Sequence, residues 1–482
     1  MLYLLVLFPL VMAAVALAAP SKRDRPWLLP AGALLQLALV GLAISQPVGS
    51  PGATAWGGWL RLDALGRVFL GFISLMFSLC MMYAPAYLAL RIDRPNRVFC
   101  ANLFVMLAMM TLVTLSYHLG LMWVAMEATT LVSGPLLYFN HNPRSLEATW
   151  KMLLVGSVGI ALALLGSFFL AYSSIEGGHS GSTLLFEQLM QIAPRLSPPW
   201  LHAAFVLLFV GYGTKMGLAP MHTWKPDAYG EAPGLVGAVL AGGLTSTAFL
   251  AVLRVYQICR AGPEAELTRQ IMIGMGLLSM VVAAAMMIRQ RDIKRMLAYS
   301  SVEQMGILVL GVGVGGMATF GALLHLINNG LTKGVLFLSA GNIHRAYGSK
   351  RLDEVQGALE RAPLSGALFL FGFLAITGSP PFGPFVSEFT ILSAALARGH
   401  YLAGGLFLVL LATVFIGMGR TVLGVVQGPA PATPSSGRFR DSFGTGAPIV
   451  CMAALVVLLG VYVPPPLAEL LHAAAALLEA PA

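Results

Sequence analysis

GTKMGLAPMHTWKPDAYGEAP, residues 213–233, decides how the rest of the chain is read. Lys215 sits at the end of an apolar run. Pro220 breaks that run, and the segment beyond it holds His222, Lys225, Asp227 and Glu231. A soluble core has little use for a cation carried inward beside a broken helix. The composition removes the soluble option. Of 482 residues, 57% are hydrophobic and 10% charged, and mean hydropathy is +0.81. Soluble domains carry about 25% charged residues. Apolar runs of about 20 residues recur along the whole chain, which predicts an all-α, polytopic integral membrane protein.

Working outward, about 14 spanning segments can be counted, near 2–19, 27–45, 67–90, 97–116, 118–139, 149–173, 201–221, 233–256, 268–288, 296–315, 317–340, 364–398, 402–426 and 446–464. The tail LAELLHAAAALLEA is too short to span and suits the membrane interface. The net charge of +9 is not gathered into a stripe with interleaved aromatics, so nucleic acid is not the partner. One set of alternate loops holds 19 cations: Lys22, Arg23, Arg25, Arg91, Arg94, Arg97, Arg144, Lys225, Arg289, Arg291, Lys294, Arg295, Arg345, Lys350, Arg351, Arg361, Arg420, Arg438 and Arg440. The other set holds 7: Arg61, Arg67, Arg195, Arg254, Arg260, Arg269 and Arg398. The positive-inside rule puts the first set in the cytoplasm of a cell with an inner membrane, and both termini on the non-cytoplasmic side.

The N-terminus lacks a positive leader and reads as a retained first helix. The loop at 428–442 is rich in Pro, Ser and Gly and reads as mobile. Cys80, Cys100, Cys259 and Cys451 lie far apart and read as packing residues, with no metal or iron–sulfur spacing. GVGVGG at 311–316 lies within or at the end of an apolar helix and reads as helix packing, not phosphate binding.

Two segments are interrupted. The seventh ends in KMGLAPMHTW, and the twelfth contains ITGSPPFGPFVSEF, with Pro380, Pro381 and Pro384 in mid-run. Proline removes a backbone donor, and in lipid the freed carbonyls need protein or water. If segments 4–8 (97–256) and 9–13 (268–426) are two copies of one five-helix unit, each break falls on the fourth helix of its unit. Such matched breaks mark an inverted-repeat transporter. Residues 1–96 would then be three leading helices, and 446–482 the last helix and tail.

A charge at mid-bilayer costs about 2.5–3.5 kcal/mol and usually has a function. Glu127, tenth in its segment, lies about 15 Å deep. His325, Asn329 and Lys333 stack on one helix face at four-residue steps. Glu388 follows the break in segment twelve. Glu127, Lys215, Lys333, His325 and Glu388 are therefore the leading candidates for a proton pathway. Lys151, at a segment start, is placed either to snorkel or to carry protons. Glu303 reads equally as a neutral core acid. His118 and His222 sit near helix ends, where a structural role is the plainer reading. Desolvation disfavours a charged lysine and a nearby carboxylate restores it. A Glu–Lys pair that separates and rejoins can therefore load and release a proton without metal or cofactor.

RDIKRMLAYSSVEQMG (291–306) resembles the signature of the proton-antiporter-like membrane subunits shared by respiratory complex I, Mrp-type Na⁺/H⁺ antiporters and membrane-bound [NiFe] hydrogenases. LLHLINNGLTKGVLFLSAGNI, GSPPFGPFVSEFTIL and the opening stretch fit the same family. MEATTL and LEATWK, within 123–166, look most like the hydrogenase-4 component F subfamily. The resemblance implies 14 core helices, the two repeats and a central axis of protonatable groups. In it, Glu127 and Lys215 would be the modulating pair of one half-channel, and Lys333, His325 and Glu388 the stations of the other. There are departures. Ser246 stands where many relatives carry a lysine or histidine, with Thr245 and Thr247 beside it as an alternative polar wire. Asn329 replaces a frequent histidine, and Lys225 replaces the usual leucine in HTWxPDA. The implied function is proton translocation within a multisubunit oxidoreductase of the group 4 hydrogenase or formate hydrogenlyase kind, with no cofactor in this chain. The implied partners are other membrane subunits, a hydrogenase-like redox module with iron–sulfur proteins, and the lipid bilayer. The rivals are a Na⁺/H⁺ antiporter subunit, a quinone-linked complex I subunit and a structural anchor.

Overall fold

The computed structural model describes residues 1–47, 53–178, 183–429 and 439–479. The helices are α1 (Leu2–Ala18), α2 (Leu28–Ile44), α3 (Ala64–Ala89), α4 (Arg97–Leu115), α5 (Leu119–Leu137), α6 (Pro143–Glu176), α7 (Phe186–Ile192), α8 (Pro198–Met216), α9 (Trp224–Glu231), α10 (Gly234–Val239), α11 (Thr245–Ala261), α12 (Ala265–Met287), α13 (Ile293–Val314), α14 (Met317–Tyr347), α15 (Ala358–Arg361), α16 (Pro363–Ile376), α17 (Gly383–Ala397), α18 (Tyr401–Gln427), α19 (Phe443–Val461) and α20 (Pro465–Glu479). Among the described residues, ten helical stretches are long and apolar enough to cross a membrane. Leu2–Ala18, Pro363–Ile376 and Gly383–Ala397 are shorter apolar helices.

Local chemistry starts several of these helices. Asp63 caps α3 by accepting from Gly66 N at 2.8 Å, and Asp292 caps α13 through Lys294 N and Arg295 N. Asn142 and Ser145 form a reciprocal capping box at α6, as Ser442 and Thr445 do at α19. Burial sorts the bundle. The continuous run α10–α11 is wholly enclosed, joined through a π-helical turn at Leu240–Leu244. The outer faces of α6 and α18 show bare Leu154 and Ile416, 63% and 71% exposed. Apolar surface of that kind faces lipid or a partner.

The all-α class stands, with one two-residue hairpin among the described residues, β1 (Thr54–Ala55) with β2 (Leu60–Arg61). Some expectations need correcting. Arg254 and Arg67 are not loop cations: both are buried within helices. Arg254 makes a bidentate pair with Asp63, both contacts at 2.7 Å, and Tyr117 donates to the same carboxylate at 3.0 Å. Lys225, also counted as a loop cation, is fully buried. Cys451 is exposed on α19 rather than packed inside, unlike Cys80, Cys100 and Cys259. The tail is a docked helix: Arg260 donates to Glu479 O at 2.6 Å, and His472 stacks on Phe320. Gly311 and Gly313 make close contact with Ala322 and Ile273, as helix packing requires. Most of the 428–442 loop lies outside the described residues.

Candidate functional site

Both interrupted segments are interrupted in the structure. α8 ends at Met216 and helix resumes at Trp224, while α16 ends at Ile376 and helix resumes at Gly383. Gly217, with φ +83°, turns the chain out of α8 in a conformation suited to glycine. The freed carbonyls are met by protein. Gly213 O accepts from Gly217 N and Leu218 N. Thr214 O accepts from the Trp224 indole at 2.9 Å, and Met216 O from Lys225 Nζ at 2.7 Å. At the second break, Ile376 O accepts from Gln304 Nε2 at 3.3 Å.

In the first half, α8 lies hard against α6, where a Cβ on Gly211 would meet Gly159 O at 2.6 Å. That approach carries Lys215, 1% exposed, towards α5. Its Nζ does not ion-pair with Glu127. It donates to Thr130 Oγ1 at 2.7 Å, and Thr130 donates in turn to Glu127 Oε2 at 3.0 Å. Ser157 of α6 donates to Glu127 Oε1 at 2.7 Å. Lysine and glutamate are thus linked through one hydroxyl, and Glu127 is half-buried. A concerted shift along this chain would move a proton from Lys215 to Thr130 while Thr130 passes its own to Glu127.

In the second half, Lys333 is fully buried and donates to Ser300 Oγ at 2.8 Å and Leu297 O at 3.3 Å, both on α13. Glu303 is 1% exposed in the middle of α13. His325 contacts Gln304 Oε1 through Nε2 at 2.7 Å and Ser387 Oγ through Nδ1 at 2.9 Å. The Gln304 amide is oriented by Ile376 O, which needs a donor. Its oxygen therefore faces His325 and can only accept, which places a proton on Nε2, while the Ser387 hydroxyl facing Nδ1 also reaches Pro384 O at 2.9 Å. Glu388 lines a cavity of ≈ 450 Å³ between α17 and α18, and its Oε1 has no protein partner among the described residues.

The remaining candidates separate. Lys151, two turns inside α6, joins a half-exposed ion cluster. It pairs with Glu147 at 2.6 Å and Asp227 at 2.9 Å, and Asp227 also pairs with Arg295 at 2.9 Å. Thr245, Ser246 and Thr247 donate to the Ala241, Gly242 and Leu244 carbonyls of their own helix. Asn329 is buried on the Lys333 face, with Oδ1 unpartnered among the described residues. His118 caps α5 and stacks on Trp59; His222 lies in the first break near Tyr299.

Sequence reading missed Thr130, Ser157, Ser300, Gln304 and Ser387, which hold the titratable groups. Thr130 is one turn from Glu127, and Ser387 and Gln304 adjoin Glu388 and Glu303, so neighbourhood alone could have flagged three of them. Ser157 and Ser300 are brought in from other helices and carry no local signal.

A profile of the NADH:quinone oxidoreductase/Mrp antiporter transmembrane family matches residues 116–416. The chain is 34% identical to the hydrogenase-4 component F homolog of Methylacidiphilum infernorum over 86% of this chain and 87% of that one. It is 29% identical to NADH-quinone oxidoreductase subunit N of Desulforudis audaxviator over 95% of each. In shape it is similar to a chain of an archaeal respiratory complex, the membrane-bound sulfane sulfur reductase. The TM-score is 0.88, with 22% identity over 99% of this chain and 97% of that one.

Proposed function

The chain belongs to the NADH:quinone oxidoreductase/Mrp antiporter transmembrane family, and from that premise we propose that it is the proton-translocating membrane subunit of a multisubunit oxidoreductase. The hydrogenase-4 relative favours a hydrogenase-like redox module with iron–sulfur proteins as the partner. On this reading the chain holds no cofactor. Electron transfer elsewhere shifts charge along the Glu127–Lys215 and Lys333–His325–Glu388 groups. The reading includes 14 crossings in two inverted repeats, supported by the paired breaks after Met216 and Ile376. It places the protein in the inner membrane with both termini outside.

One observation carries the proposal: a buried lysine at a helix break, joined by a single hydroxyl to a glutamate on another helix. A structural anchor has no use for that arrangement. The test is Lys215→Ala in the complex purified with its native partners and reconstituted into vesicles. Assembly with loss of proton uptake is expected. Native uptake would leave only the anchor reading.

A further inference from the structure

Lys225 is a fully buried cation that neither half of this path uses. Among the described residues no carboxylate pairs with it. Its Nζ donates to Met216 O, the carbonyl directly after Lys215, and lies 5.7 Å from the Tyr229 ring centroid. Gly217 makes room for it, since a Cβ there would fall 2.6 Å from Lys225 Cδ and 2.8 Å from Nζ.

The helix that carries Lys225 lies between the two halves. α9 packs against α6 on one side and α13 on the other, and Tyr229 meets Phe337 of α14 edge-on at 5.5 Å. Lys333 stands on α14 one turn before Phe337, the residue that meets Tyr229. The other titratable groups around α9 are Lys215 at the end of α8, His222 just before α9, Lys294, whose Nζ donates to Ala232 O at the end of α9 at 3.0 Å, and two tethers: Asp227, held by Lys151 and Arg295, and Glu231, held by Lys350, which also pairs with Asp292. Both tethers have ion partners of their own. α11 offers no titratable group at Ser246, and its hydroxyls are turned onto their own helix.

We propose that Lys225 is the proton-carrying station that joins the two halves, taking the place of the group missing at Ser246. The inference rests on the proton-path reading above. In the step, an N–H bond of the Lys215 ammonium breaks and the neutral Lys225 amine gains that proton, directly or across water. Lys215 is left neutral and Lys225 cationic. Lys225 then gives one proton to a neutral Lys333, and the sequence runs equally in reverse.

The obvious rival role is structural, a cation capping the negative end of α8. Two variants in the intact reconstituted complex separate the roles. Lys225→Gln keeps a donor for Met216 O but holds no exchangeable charge. Lys225→Met is near in size and drops both. With assembly checked by native electrophoresis, both are expected to lose proton uptake by about a hundredfold, the effect of removing one proton-transfer group. Native uptake in assembled Lys225→Gln overturns the relay and leaves a cap, and native uptake in assembled Lys225→Met overturns the relay and the need for a cap alike. Lys215→Gln is measured alongside. Native uptake there sinks the path reading as a whole, whereas its loss beside native Lys225→Gln sinks only the relay.

Discussion

Thr130→Val tests the first half-channel where the structure is most specific. The side chain is fully buried, and valine replaces its hydroxyl with a methyl of similar size. Two hydrogen bonds vanish, Lys215 Nζ to Thr130 at 2.7 Å and Thr130 to Glu127 at 3.0 Å. Glu127 keeps Ser157. A hydrogen bond to a charged group contributes about 1.5–3 kcal/mol. Both bonds stand in the resting structure, so only their strengthening as the proton moves enters the barrier; the worth of one such bond, at about 1.4 kcal/mol for tenfold in rate, sets the scale. Transfer should slow by about tenfold to a hundredfold, while the fold, with no change in volume, stays close to native. Thr130→Ser keeps the oxygen and should retain most of the rate. The assay is redox-driven acidification of vesicles containing the whole complex, read by fluorescence quenching and normalised to assembled complex. Native acidification in Thr130→Val would refute the hydroxyl bridge. Equal loss in Thr130→Ser would point to packing.

Arg254→Met leaves Asp63 buried without its bidentate partner. Removing one partner of a buried pair costs about 3–5 kcal/mol, so the variant should assemble poorly or melt early in a detergent thermal scan, and native melting would exclude a structural role for the pair. Gly217→Ala puts a side chain at φ +83° and against Lys225; the left-handed conformation alone costs about 1–2 kcal/mol, and a lowered melting temperature is expected. Ser387→Ala removes the hydroxyl 2.9 Å from His325 Nδ1. Proton uptake should fall while assembly holds, and unchanged uptake would take Ser387 off the path.

Helices were legible because apolar length is a one-dimensional signal. The breaks were legible because proline acts on its own backbone. Glu127, Lys215 and Lys333 stood out because a charge in apolar surroundings is rare. What could not be read was which hydroxyl stands between two charges, since Ser157 and Ser300 reach the site only through helix packing. Arg254, Arg67 and Lys225 were misplaced for the same reason. A cation near a segment boundary looks like a loop residue until its partner is known, and those partners, Asp63 and Met216 O, are distant or are backbone atoms. The Thr245, Ser246 and Thr247 hydroxyls carried no such signal: consecutive helical residues point about 100° apart, and short hydroxyls bond back to their own turn.

On the proposed path the two halves do different things with the same residue types. Lys215 has a carboxylate one hydroxyl away, so its proton can be handed over locally. Lys333, among the described residues, has a serine and a carbonyl as hydrogen-bond partners. Between the Glu303 side and His325 stands Gln304, whose amide fixes the imidazole but has no exchangeable charge to pass on. With Nε2–H committed to Gln304, Nδ1 is the nitrogen left to exchange a proton, and it faces Ser387. That side leads to Glu388, whose carboxylate opens on the ≈ 450 Å³ cavity beyond the second break. His325 is therefore wired towards the cavity and away from Lys333. A proton crossing from Lys333 to His325 then needs either water along the Asn329 face or an opening of the Gln304 contact. Gln304→Leu tells these apart: freeing the imidazole should speed passage if the contact is the gate, and should slow it if the contact only holds the ring in place.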